Sequence, residues 1–594
     1  MIADRVRAAY RRITRADRPE IWITLRPEED VLAEAATIDP ALPLAGLLAA
    51  VKGNIDVAGL PTTAGAPSFA YSPAADATAV ARLRAAGALV LGTTNLDQFA
   101  TGLVGTRSPY GAVRNAFDAE RISGGSSSGS AVAVALDLVD LALGTDTAGS
   151  GRVPAALNGI VGVKPTRGLI PTTGVVPACR SLDCVTVFAR DLRLARRTAE
   201  LLSGPDGVDP LAREFVAAPS TGVVRLAVPA PEHLDGLADG WADAFRAAVE
   251  RFRAAGAQIV EVDVAPLLEA ASLLYDGAFV AERTLAVGAH LRAHAELIGS
   301  TLDPTVASIV LGGERFTAVD AFRDRRRLDE LGAAGRAALA GVTALLTPTT
   351  TGHPTLAQVA ADPVGANARM GRWTNFANLL DLASLAVPAG AVDGLPFGVM
   401  LTGPAFSDRT LAALAQLFAD PPIDLFVVGA HLSGHPLNHQ LVSAGGSCLG
   451  PAGTTPDYRL YALDTVPPKP GLLRHPDGAS ITGEVWRLPA AGFGVFVAGL
   501  PQPMTIGAVT LSDGRTVRGF LAEPIATRDA TDITSHGSWP AALAAGNALT
   551  DGDARVDGEA RVDGEARVDG GARVDGGALA DGDARAAGDA LADG

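Results

Sequence analysis

The chain has 594 residues, 48% of them hydrophobic, enough to bury more than one core, and its formal net charge of −16 argues against a nucleic-acid partner. Its three cysteines, Cys179, Cys184 and Cys448, make no disulfide framework and point to a reducing compartment, hence the cytoplasm. The charge is partly local: from Asp551 onward twelve acidic residues face five arginines, a net of −7, which leaves an ordinary −9 for the body. No apolar run reaches the roughly 18 residues of a membrane span. The Arg-rich start, from Arg5 to Arg18, lacks the apolar centre of a signal peptide.

In chain order, LPLAGLLAAV (residues 42–51) is an apolar run that ends at Lys52, a place where burial lowers a lysine's pKa. ADATAVARLRAAG (75–87) has helical spacing closed by a glycine, and ALVLG (88–92) reads as a short buried strand. GGSSSGS (124–130) alone has the composition of a linker. Its setting argues otherwise. One apolar element, AVAVALDLVDLAL (131–143), follows it, and a second Gly-rich segment, GTDTAGSGRVPA (144–155), begins at once. Two such turns around a buried element are site-building loops. Ser126 stands in the first and Ser150 in the second, each where backbone N–H groups can turn toward a bound oxygen. With the lysine segment AVKGNIDVAGLPTTAG (50–65) they supply a nucleophile, a proton relay, a base and an anion-binding turn, enough to cleave an amide without metal or histidine.

Further on, helical spacing recurs at 237–255, 266–295 and 318–340, and ALLTP (344–348) and SLAVP (384–388) read as buried strands. This alternation predicts an α/β sheet covered by helices. A smaller β-rich α+β domain begins near Pro421, with the runs YRLYAL, GEVWRLP, GFGVFV and IGAVTL read as its strands. His431, His435 and His439 recur every four residues, but Gly434 and Pro436 interrupt any helix that would align them, so no metal site is assigned. The last 44 residues repeat ARVDGE and ARVDGG at a period of six. They carry too little apolar bulk to fold, and calcium-binding rolls have a period of about nine. The expected division is therefore 1–420, 421–537 and a low-complexity disordered tail, 538–594.

From about Val51 to about Pro404 the chain resembles the amidase signature family. Residues 124–154, with GTDTAGS, Arg152 and Pro154, carry the resemblance, together with GIVGVKPTRGLIPTTGVVP (159–177) and GRWTNFANLLDLASLAVPAG (371–390). The resemblance implies a mixed sheet covered by helices and a Ser–Ser(cis)–Lys triad. Ser150 is then the nucleophile, Ser126 the bridging serine after a cis Gly125–Ser126 bond, and Lys52 the base. The chemistry is coherent: Ser126 takes the Ser150 proton and passes its own to a neutral Lys52, and the reverse relay protonates the leaving amine. The N–H groups of Thr147, Ala148, Gly149 and Ser150 are the candidates for an oxyanion hole. Asp146, with no histidine near it in sequence, is given a structural role in bonding the loop backbone. Gly53 departs from the pattern, standing where many relatives carry an acidic residue.

GAHLSGHPLNHQL (429–441) and the domain around it resemble the C-terminal domain of allophanate hydrolases, as do CRSLDCV (179–185) and NIDVAGLPTTAG (54–65). Ala66 stands where those enzymes often carry cysteine. This implies hydrolysis of allophanate, a urea bearing a carboxylate, to ammonia and carbon dioxide in urea degradation, with no cofactor and no metal. It also implies a homodimer and a biotin-dependent urea carboxylase as supplier, of which the chain shows no biotinyl-lysine motif. Tyr275 and Arg283, in the helical stretch YDGAFVAER, would lie about two turns apart on one face. They match the tyrosine and arginine that hold the substrate carboxylate. Two alternatives stay open: another amide hydrolase or amidotransferase subunit, and a noncatalytic scaffold. The second domain either assists decarboxylation of the first product or supports assembly. Support is favoured, with His431 the residue to test.

Overall fold

Strands that are apolar at successive positions can be buried on both faces, and this property organises the larger part of the molecule. In the computed structural model, which describes residues 2–217, 222–419, 423–488 and 490–546, eleven strands form one mixed sheet. They are β1 (Trp22–Leu25), β2 (Leu48–Lys52), β3 (Leu89–Thr94), β4 (Leu141–Asp146), β5 (Val161–Lys164), β6 (Cys184–Ala189), β7 (Arg225–Pro229), β8 (Gln258–Val262), β9 (Ala344–Pro348), β10 (Ala383–Val392) and β11 (Leu395–Gly403). Their order is β1-β3-β2-β4-β6-β5-β10-β11-β9-β7-β8. Along β2, Ala49 and Val51 enter one core while Leu48 and Ala50 enter the other. In β4, Leu141 and Leu143 face the first core and Ala142 the second. Helices cover both faces, as expected for an α/β sheet.

β2 runs parallel to β3 and to β4, so Lys52 and Asp146, the last residues of β2 and β4, leave the sheet at the same edge. That edge, beyond the carboxyl ends of parallel strands, is where open α/β sheets build their sites.

Three sequence expectations change here. The apolar element at 131–143 is two elements, the helix Ser128–Ala135 and β4, joined by a turn in which Asp137 takes φ 58°. The helical stretch 266–295 is segmented into an α-helix (Ala265–Asp276), a 3₁₀ turn (Ala278–Val280), a short α turn (Ala281–Arg283), a π turn (Thr284–Gly288) and a further α turn (Ala289–Ala293). The break falls at Gly277, where the Ala278 N–H donates to the Asp324 carboxylate (2.7 Å). GFGVFV is not a strand but part of the helix Ala490–Ala498. Its Phe493, Phe496 and Val497 share one helical face and pack into a single core.

The second part has a five-stranded sheet, β13-β16-β12-β18-β17, and a three-stranded one, β15-β14-β19. These strands are β12 (Ile423–Val427), β13 (Ser447–Gly453), β14 (Tyr458–Leu463), β15 (Lys469–Arg474), β16 (Thr482–Leu488), β17 (Met504–Thr510), β18 (Thr516–Ala522) and β19 (Thr531–Asp532). The described residues continue past 537. Ser538 caps a helix, Trp539–Ala544, whose Trp539 is buried with Tyr458 and Ile533. The start of the tail at 538 is corrected accordingly; an aromatic side chain with a core to enter orders the segment that carries it. The hexapeptide repeats lie outside the described residues. Among the described residues no helix is long and apolar enough to cross a membrane.

Candidate active site

Lys52, Ser126 and Ser150 converge at the sheet edge, 0%, 0% and 2% exposed. Lys52 Nζ donates to Ser126 Oγ (2.8 Å) and to Thr145 Oγ1 (2.7 Å), and Ser126 Oγ donates to Ser150 Oγ (2.9 Å). The Gly125–Ser126 bond is cis. A Cβ on Gly125 would stand 2.2 Å from Asp97 Oδ2, so only glycine fits there. Burial pulls the Lys52 amine down to about 7; the carboxylates of Asp97, Asp146 and Asp183 oppose this and Arg283 reinforces it. A lysine in that range exists in both protonation states at neutral pH.

The turn after β4 presents Ser150 beside free donors. Among the described residues, the N–H groups of Thr147, Ala148, Gly149 and Ser150 donate to no acceptor. The turn is locked from behind. Arg152 grips both oxygens of Asp146 (2.9 and 2.8 Å), and the Gly151 N–H donates to the same carboxylate (2.9 Å). Burial pushes the Asp146 carboxyl upward, but Arg152 outweighs it and holds the group below the ordinary carboxylate range. Asn378 Nδ2 donates to the Asp146 carbonyl (2.8 Å). Gly149, at φ 145°, is pressed against Thr374: a Cβ there would lie 2.2 Å from Thr374 Oγ1. Asp146 thus has the structural part expected of it.

Tyr275 and Arg283 also meet, although no continuous helix joins them. Arg283 Nη2 donates to the Tyr275 hydroxyl (3.3 Å), and its guanidinium carbon lies 5.2 Å from the centre of that ring. Arg283 is 1% exposed. Nη1 donates to the Ala100 carbonyl (3.3 Å) and Thr101 Oγ1 (2.9 Å), while the buried Nε–H has no partner among the described residues. Gly102 follows Thr101, and its carbonyl is 3.5 Å from Ser150 Oγ. A cleft of about 670 Å³ has Tyr275 in its wall, together with Arg107, Asn367, Gly371 and Asn375 among others.

Two functional positions escaped the sequence reading. Thr145 fixes the Lys52 amine. Asp183 accepts from Thr147 Oγ1 (2.5 Å) and from the Ala178 and Cys179 N–H groups, tying the donor turn to the loop before β6. Both lie inside quoted motifs, GTDTAGS and CRSLDCV, so the motifs pointed to them though no role did. In the second domain His431 pairs with Gln440 (3.0 Å) and stacks on Phe520, whereas the His439 ring bonds to the Pro436 carbonyl. Among the described residues no three His, Cys, Asp or Glu side chains are grouped to hold a metal.

The amidase family model matches residues 4–412, and the model of the allophanate hydrolase C-terminal domain matches 423–544. A urea amidolyase of Saccharomyces cerevisiae is 43% identical over 88% of this chain, which spans 31% of that protein's length. A glutamyl-tRNA(Gln) amidotransferase subunit of Thermus thermophilus is 36% identical over 70% of this chain and 92% of its own. The solved structure of a Kluyveromyces lactis allophanate hydrolase superposes with a TM-score of 0.66 at 40% identity, covering 92% of this chain and 97% of that one. With both parts of its length so matched, the chain belongs to the amidase family and carries a C-terminal domain of the allophanate hydrolase type.

Proposed function

We propose that the protein hydrolyses allophanate, with Ser150 as nucleophile, Ser126 as bridge and Lys52 as base. The relay starts from neutral Lys52. Ser126 yields its proton to the amine as it takes that of Ser150, whose Oγ attacks the terminal amide carbon. The oxyanion forms against the N–H groups of Thr147, Ala148, Gly149 and Ser150. The reverse relay protonates the departing ammonia, and water repeats the sequence on the acyl-serine. The first cleavage balances as H₂N–CO–NH–COO⁻ + H₂O → NH₄⁺ + HN(COO⁻)₂, and the dicarboxylate goes on to carbon dioxide and a second ammonia.

The observation that carries this reading is Arg283: a buried guanidinium whose hydrogen bonds among the described residues go to neutral oxygens, with an open N–H, beside the Tyr275 hydroxyl, and with the Asp183 and Glu282 carboxylates acting on it only through space. A charge kept in the interior on such terms fits an anionic group arriving with the substrate. The division at residues 420 and 421 accords with the two family matches. We place the enzyme in the cytoplasm, as a homodimer, supplied by a biotin-dependent urea carboxylase on the same or another chain. The second domain is assigned a supporting part, with His431 the residue to substitute.

The test is ammonia release from allophanate against malonamide, acetamide and glutamine. Arg283→Ala should cost allophanate about 2–5 kcal/mol in kcat/KM and neutral amides much less. Arg283→Lys should recover only part, because an ammonium lacks the planar two-pronged fork. An unchanged ratio of allophanate to neutral amide in Arg283→Ala removes Arg283 from the site. Preference for glutamine in the wild type returns the chain to the amidotransferase alternative.

A further inference from the structure

The charge around the cleft is out of line with the rest of the chain. The whole sequence carries −16, yet the cleft is lined by Arg107, Arg315, Arg369 and Arg372 against one carboxylate, Asp276. Arg369 is paired with Asp362. Among the described residues the other three make no ion pair: Arg315 lies over the Phe316 ring, and Arg372 donates to the His233 carbonyl. Arg107 reaches deepest. It is 3% exposed; Nη1 donates to the Thr101 carbonyl (3.0 Å), Nη2 to the Pro363 carbonyl (2.6 Å), and the buried Nε–H has no partner among the described residues. The Asp97 carboxylate accepts from the backbone N–H groups of Gly105 and Arg107, not from the guanidinium.

Thr101 joins this arginine to the other. Its carbonyl takes Arg107 and its hydroxyl takes Arg283. Two buried guanidinium groups, each with an open Nε–H, therefore rest on one residue, next to the glycine whose carbonyl is 3.5 Å from Ser150 Oγ. Buried cations are costly, and among the described residues the carboxylates that act on these two, Asp97 on Arg107 and Asp183 with Glu282 on Arg283, accept no hydrogen bond from either guanidinium, so each open Nε–H keeps its capacity for an arriving anion.

We propose that Arg107 is a second anion-binding residue of this cleft, suited to small dianions whose two carboxylates share one bridging atom. The inference rests on the reading of the substrate as a ureido carboxylate. That substrate brings one negative charge, and amide cleavage leaves two on HN(COO⁻)₂. Arg283 answers the carboxylate present throughout; Arg107 answers the one that hydrolysis creates.

Calorimetric titration of the full chain with malonate and malonamate tests this. Malonate carries two carboxylates on one bridging carbon, and malonamate replaces one of them with a neutral amide. The wild type should bind malonate at least tenfold more tightly than malonamate. Arg107→Gln should weaken malonate at least tenfold and malonamate less than threefold, and Arg107→Lys should restore part of the malonate affinity. Thermal melts accompany each variant. Absence of malonate binding, a wild-type ratio near one, or equal losses of both ligands in Arg107→Gln overturns the proposal; if that variant does not fold, the wild-type ratio decides. Allophanate turnover is measured separately. No turnover together with an Arg107-dependent preference for malonate would refute the substrate reading and leave the second anion site standing.

Discussion

One proton on Lys52 sets the direction of the hydrogen-bond chain in this site. Protonated, the amine donates to Ser126, which donates to Ser150, and the nucleophile's own proton has no path out. Neutral, the amine accepts from Ser126, and the chain runs from Ser150 toward the lysine. With Lys52 held at about 7 by burial, kcat/KM should rise with pH up to about 7 and level above it, falling tenfold per unit on the acid side. Lys52→Ala should lose about 10²- to 10⁴-fold. Lys52→Arg should lose as much, since a guanidinium keeps its proton; an arginine variant that retained activity would show that charge, not proton acceptance, matters here. Ser150→Ala should lose about 10⁶-fold with an unchanged melting temperature. The Gly-rich, Ser-bearing turns beside apolar runs pointed to Ser126 and Ser150, and the resemblance to the amidase signature family assigned the parts of these two and of Lys52. Thr145 and Asp183 were not legible, because their parts depend on partners at sequence separations of 93 and 36 residues.

At the scale of the element, the donor turn works because its backbone lies where only glycine can. Gly149 combines φ 145° with a Cβ position 2.2 Å from Thr374 Oγ1. Gly149→Ala should therefore shift the turn and cost kcat about 10²- to 10³-fold, the loss expected when an oxyanion donor is misplaced, with KM little changed. Thr374→Ala in the same chain should recover part of the loss by opening space, the remainder reflecting the positive φ. Full recovery would place the whole effect in the clash. The same scale shows where periodicity misleads. A short apolar run such as GFGVFV satisfies a strand and a buried helix alike, and only its neighbours decide. The stretch 266–295 has helical spacing throughout. Yet a glycine and one carboxylate, Asp324, suffice to divide it, and the division still leaves the Arg283 guanidinium in contact with Tyr275.

At the scale of the whole molecule, the sequence divides by composition, and composition sets the tail's start too early. Residues 538–546 share their alanine content with the repeats beyond them, but Trp539 belongs to the second domain's core with Tyr458 and Ile533. One large side chain outweighs the surrounding alanines, because it brings most of the apolar area that the segment buries. Two truncations separate these readings. Ending the chain after residue 546 removes no member of the described cores, so the melting temperature and amide turnover should stay as in the full chain. Ending it after residue 537 takes away Trp539 and Ala542. The cost should be near that of a buried Trp→Ala change, about 3–5 kcal/mol, read as a lower melting temperature for the second domain. Amidase turnover should persist in this shorter chain at low temperature, since Lys52, Ser126 and Ser150 are buried in the part whose two cores have all their members before residue 420. Equal melting temperatures for the two truncations would show that the helix Trp539–Ala544 contributes nothing to the domain it packs on. Loss of turnover in step with unfolding of the second domain would show instead that the amidase part depends on it.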